Sequence, residues 1–117
     1  MNGYISLLTG SVQYQAQPFP DVNLPNNTFA PFFDDLIIYG GQTPQQGIFY
    51  QIQGTAVTYE YYVSRAGTQG SIYHFTIKYD SASAGIFTVQ YYSTGSSSDP
   101  QANGAAASVG MQGGKSS

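Results

Sequence analysis

The 117-residue chain contains a single histidine and no cysteine. That leaves His74 as the only side chain that could act as a near-neutral general base. A Ser-His-Asp arrangement needs a hydroxyl in front of the imidazole and a carboxylate behind it. The serine-rich stretches of this chain hold no Gly-x-Ser-x-Gly elbow. Period-two alternation places His74 mid-strand, on the face opposite Phe75, so it reads as a half-exposed strand residue rather than a catalyst. Asp34-Asp35 is the only adjacent carboxylate pair. Neighbours on a strand point to opposite faces, whereas glycoside cleavage needs two carboxyls about 5–10 Å apart across one cleft. Glu60, Asp80 and Asp99 lie on separate segments. One of Asp34 and Asp35 is expected to fix the segment after Pro31 by accepting backbone N–H groups. Calcium is the competing reading, but no Asp-x-Asp-x-Asp spacing supports it, so no metal and no cofactor is assigned.

Two outward tyrosines, Tyr62 and Tyr92, remain as candidates for contact with a ligand or partner. Flat aromatic faces stack on sugar rings and also anchor protein interfaces. An exposed tyrosine is equally a good strand former that pairs across a sheet, and this plainer role is weighed ahead of binding for each residue alone. Asn26-Asn27-Thr28 forms an N-glycosylation triplet at Asn26.

The elements that must position these residues are strands. Val57, Tyr59, Tyr61 and Val63 alternate with Thr58, Glu60 and Tyr62. Tyr73, Phe75, Ile77 and Tyr79 alternate with His74, Thr76 and Lys78. Phe87, Val89 and Tyr91 alternate with Thr88, Gln90 and Tyr92. Each run predicts a strand with one face in the core and one in solvent, and the three together predict an antiparallel meander. Tyr59, Tyr61, Phe75, Ile77, Phe87 and Val89 are expected in the core. Tyr4–Leu8 and Ile48–Gln53 read as further strands. Phe32–Tyr39, apolar on both faces, reads as a central covered strand. Ser93–Gly104 reads as a mobile loop, Ala105–Gln112 as a last short strand, and residues 113–117 as a flexible tail or linker start. No stretch holds a 3.6-residue period, so the fold class is all-β: a single antiparallel β-sandwich over residues 1–112 with little or no helix.

Composition narrows the function. Charged residues make up 8% of the chain and the net charge is −3, with Arg65, Lys78 and Lys115 the only cations. Three cations cannot neutralise a row of phosphates, so nucleic acid is excluded as a partner. No apolar run approaches the ~20 residues of a membrane-spanning helix, so no membrane insertion is expected. A surface built from Ser, Thr, Gln, Asn and Tyr points to a secreted or cell-surface location.

Several segments resemble nidogen-like domains. Asn2-Gly3-Tyr4-Ile5-Ser6-Leu7 is similar to the family's opening Asn-Gly-x-Ile-Ser strand, and Pro18-Phe19-Pro20 to its proline step. Phe29-Ala30-Pro31-Phe32-Phe33-Asp34-Asp35-Leu36 resembles its most recognisable run, with Phe33 where the family has Trp. Gly47-Ile48-Phe49-Tyr50, His74-Phe75-Thr76-Ile77, Val89-Gln90-Tyr91-Tyr92 and Ala107-Ser108-Val109-Gly110 follow in the family's order. The low charge is closest to microbial or fungal surface versions. The resemblance implies an extracellular, non-catalytic module of adhesion or matrix proteins, and it supplies no ligand residues. It also implies that the family's first strands are missing here, which would leave an unpaired edge near Gly3 and promote oligomers.

Two functional classes follow. The first is a structural or adhesive module that engages another protein or itself. The second is a carbohydrate-binding module that uses Tyr62 and Tyr92 on a glycan.

Overall fold

The structure is a computed structural model that describes residues 2–6 and 9–113. Eight strands are found among these residues: β1 (Ile5–Ser6), β2 (Thr28–Phe33), β3 (Leu36–Ile37), β4 (Gly47–Gln53), β5 (Ala56–Arg65), β6 (Thr68–Asp80), β7 (Phe87–Thr94) and β8 (Ser108–Gln112). The only helical pieces described are two single 3-10 turns, Ser81–Ser83 and Ala102–Gly104. Two antiparallel sheets pack together. One has the order β1-β2-β8. In the other, β5, β6 and β7 are consecutive neighbours, and β3 and β4 lie end to end along the far side of β5. This is the all-β sandwich that the alternation predicts.

Pairing follows the pleat. Tyr61 lies opposite Phe75, and Tyr59 opposite Ile77, so apolar residues of adjacent strands fall on one face. That face meets Phe32 and Leu36 in a core completed by Val63 and Tyr73. Tyr61 and Phe75 stack at 4.7 Å. Tyr61, Phe75 and Ile77 are buried, but Tyr59, Phe87 and Val89 are only half-buried, a correction to the expected core. The three-stranded sheet is shorter than the five-stranded one, and these residues lie where its cover ends. A cavity of about 360 Å³ opens there between Ile5, Val57, Tyr59, Tyr79 and Phe87.

A second apolar cluster lies on the opposite face of β2. It joins Tyr4, Leu24, Ala30 and Phe33, with Phe19 and Ala16 packed against it. The segment before β2 thus covers the outer face of the small sheet. The Gln112 side chain pins that cover by donating to the Leu24 and Pro25 carbonyls, both at 2.8 Å, while its oxygen accepts the Asp21 N–H. Phe19 lies directly over Gly110, where a Cβ would come within 2.8 Å of its ring.

The expected strand over Phe32–Tyr39 is not one strand. β2 ends at Phe33, and β3 begins at Leu36 in the other sheet. The chain crosses between layers at Asp34-Asp35, so residues on both sides of the crossing are apolar without sharing a strand. Pro31 is tolerated inside β2 because the ladder to β8 breaks register between Ala30 and Phe33, and a bulge needs no proline N–H. Gly3 approaches this strand closely: at φ 74° an added Cβ would lie 1.6 Å from the Phe32 carbonyl oxygen. Of the expected strand Tyr4–Leu8, only Ile5–Ser6 pairs, and Leu7 and Leu8 lie outside the described residues, as does the tail from Gly114.

Candidate functional site

The outer face of the five-stranded sheet gathers most of the residues singled out by type. Tyr62 on β5 lies opposite His74 on β6, and His74 opposite Ser93 on β7. The β6–β7 register shifts between His74 and Phe75, and this bulge brings Tyr92 over the imidazole. The His74 and Tyr92 rings stack at 4.5 Å and 26°, while Tyr62 meets His74 edge-on at 5.2 Å and 78°. Glu60 Oε1 lies 2.7 Å from His74 Nε2. The carboxylate holds the imidazole in place and offers an acceptor at the rim of the aromatic row. Phe49 on β4 folds its ring over Gly47, which pairs with Tyr62. Phe49 and Tyr92 are 43% and 54% exposed, so the row ends in open aromatic surface on both sides.

Among the described residues, the row forms neither a Ser–His pair nor a flat aromatic platform. The serine hydroxyl opposite His74 in register, that of Ser93, donates to the Ile72 carbonyl at 2.8 Å. The two tyrosines do not form a flat platform either. A ring nearly perpendicular to the imidazole and one nearly parallel to it cannot share a plane.

Asp34 sits at the crossing between β2 and β3 and is buried. Its Oδ1 accepts the Asp35 N–H at 2.7 Å and the Arg65 Nε–H at 3.3 Å. Oδ2 is buried with no hydrogen-bond partner among the described residues. Asp35 is half-buried, and its carbonyl accepts the Ala66 N–H. The pair therefore ties the layer crossing to the β5–β6 turn. Asn26 is exposed in the turn before β2, and the Thr28 hydroxyl of its triplet donates to the Pro25 carbonyl. No group of three or more His, Cys, Asp or Glu side chains converges on a metal position among the described residues. Nor is any helix among them long and apolar enough to cross a membrane.

One constellation escapes sequence reasoning. Asp99 is buried. Its Oδ2 accepts from the Ser71 hydroxyl at 2.7 Å and the Tyr73 hydroxyl at 2.8 Å, and its Oδ1 accepts the Gln101 N–H. Burial works against the charge, but these donors outweigh it and hold the carboxyl below its ordinary pKa. Burial, followed by the bond to Asp99, pushes the Tyr73 phenol up to about 12. A polar hollow of about 310 Å³ lies above, lined by Thr68, Gln69, Ser71, Ser96 and Ser98. The stretch expected as a mobile loop is therefore anchored, and its first residues, Ser93 and Thr94, complete β7. Its Ser- and Gly-rich composition hides the anchor. The only local signal is Asp99 followed by Pro100, a turn opener.

Comparison with family models, curated proteins and solved structures finds no match to this chain.

Proposed function

We propose that this chain is a non-catalytic, extracellular structural or adhesive module that works by associating with protein surfaces. The observation that carries the reading is the exposed aromatic row on the outer face of the five-stranded sheet, from Phe49 to Tyr92, with Glu60 at its rim, in a chain with only 8% charged residues. Aromatic side chains give large contact area at low entropic cost and are enriched at protein interfaces. The resemblance of the Phe29–Leu36 run to nidogen-like domains supports the same class. Glycan binding is the weaker reading, because the Tyr62 and Tyr92 rings are crossed rather than coplanar.

The test is capture from an extracellular matrix or cell-wall fraction, run beside a glycan array, with wild type and a Phe49→Ala/Tyr92→Ala variant of unchanged fold. A protein captured by wild type and lost in the variant is the expected result. Saturable binding to one glycan that disappears in Tyr92→Ala would replace this reading with the carbohydrate one. Hydrolysis abolished by His74→Ala would overturn both.

A further inference from the structure

We infer that two copies of this chain associate through β4, edge to edge, so that their five-stranded sheets join across a two-fold axis at Tyr50. The inference rests on the reading of the chain as an association module and names one partner: a second copy.

The edge strands among the described residues differ in how well they could accept another strand. β1 and β3 are two residues long. The ladder of β8 to β2 shifts register between Ala30 and Phe33, and that of β7 to β6 shifts between His74 and Phe75. Such bulges increase local twist and turn an edge away from new partners. β4 has no such protection. It pairs with β5 through seven consecutive residues, Gly47 with Tyr62 to Gln53 with Ala56, without a shift, and no described strand pairs with its other side. An edge strand leaves alternate N–H and C=O groups pointing outward without a strand partner.

The sequence of this strand adds to the case. Gly47-Ile48-Phe49-Tyr50-Gln51-Ile52-Gln53 has no charge and no proline, and no charged residue occurs between Asp35 and Glu60. Lysine and proline are the usual guards of an open edge. A short uncharged segment of high β-propensity is also the composition that self-pairs most readily. Its large side chains face solvent, with Tyr50 71% and Ile52 69% exposed.

Geometry selects the register. A two-fold axis normal to the sheet keeps inner-face residues on the inner face, so opposed residues must share a face. Centring the axis on Tyr50 pairs all seven residues. It sets Tyr50 against Tyr50 and Ile48 against Ile52 on the inner face, and Phe49 against Gln51 on the outer one. These aromatic and β-branched pairs are favourable across antiparallel strands. The inner-face strip also continues the apolar surface around Val57 and Tyr59 that the smaller sheet leaves uncovered. An isologous pair of this kind closes on itself, whereas β4 joining β7 of the next copy would not.

The chain has no cysteine, so one introduced thiol reports cleanly. Opposed residues on antiparallel strands have Cβ atoms about 5 Å apart. Tyr50→Cys should therefore give a covalent dimer on oxidation or with a short bis-thiol crosslinker, and Thr88→Cys on β7 should not. In sedimentation equilibrium, wild type should be a monomer–dimer system. Tyr50→Lys, which sets like charges opposite each other, should weaken it roughly tenfold or more, and Ile52→Lys should act in the same direction. Thr88→Lys should leave it unchanged. Both lysine sites on β4 are solvent-facing, so circular dichroism should match wild type, and so should melting measured at concentrations dilute enough for wild type to be monomeric. A wild-type monomer at several hundred micromolar, or a dimer indifferent to Tyr50→Lys, would overturn the inference. So would open-ended polymers blocked by Tyr50→Lys and Thr88→Lys alike, since they would mean β4–β7 growth. Capture of a protein partner by a monomeric wild type would leave the module reading intact while this inference failed.

Discussion

Asp99 shows how one carboxylate organises a segment that composition would leave free. It is held by a phenol, a hydroxyl and a backbone N–H, and it fixes the crossing from β7 towards β8. Hydrogen bonds to a charged group are worth about 1.5–3 kcal/mol each. Tyr73→Phe should therefore lower stability by about that amount at neutral pH, read by urea unfolding. The pH dependence has a definite sign. A carboxyl with a depressed folded pKa adds stability above its unfolded value, near 3.9, and that stability disappears as pH falls through the folded value. The phenols act at the other end. Tyr61 and Tyr73 are both raised to about 12, chiefly by burial, so they hold protons that the unfolded chain releases near pH 10. Stability should decline between pH of about 10 and about 12, and the decline should be shallower in Tyr73→Phe. An equally steep alkaline branch in that variant would mean that Tyr73 titrates as freely folded as unfolded.

Elements were legible in the sequence where one face met solvent. β5, β6 and β7 alternate cleanly because their outer faces are wet, and that alternation also set Tyr62, His74 and Tyr92 on the same side. The stacking of Tyr92 on His74 was not legible, because it depends on a bulge that shifts the ladder by one residue. β2 gives no such signal, for the opposite reason. Both of its faces are covered, one by the opposing sheet and one by Phe19 and Leu24, so no period-two signal separates it from β3. Besides its pairing with β1 and β8, β2 is held by a contact with Gly3, whose carbonyl accepts the Phe32 N–H at 3.3 Å. A side chain at position 3 would collide with the Phe32 carbonyl and be forced to a left-handed backbone angle. Gly3→Ala should cost about 3 kcal/mol or more, seen as a large fall in melting temperature. Gly113→Ala, with no atom of the described residues within 4 Å of the added methyl, should leave the melting temperature near wild type.

At the scale of the whole molecule, scarcity of charge governs how copies meet. Three cations and six carboxylates are spread over 117 residues, and none falls between Asp35 and Glu60, the span that contains β4. Net self-repulsion is weak, and the edge strand carries no charge that would need desolvation on pairing. Association through such an edge draws on backbone hydrogen bonds and apolar contact, which simple salt hardly screens. Surface ion pairs would behave differently, because the Debye length shrinks from about 10 Å at 0.1 M to about 3 Å at 1 M. The dimerisation constant of the wild-type chain should therefore change by less than about twofold between 0.1 M and 1 M sodium chloride. Sulfate, which strengthens apolar burial by its exclusion from protein surfaces, should tighten it. Sedimentation equilibrium at matched ionic strengths of chloride and sulfate separates these responses. An association that dissolves in 1 M sodium chloride would place its origin in exposed charged positions such as Lys78, and away from the uncharged edge at β4.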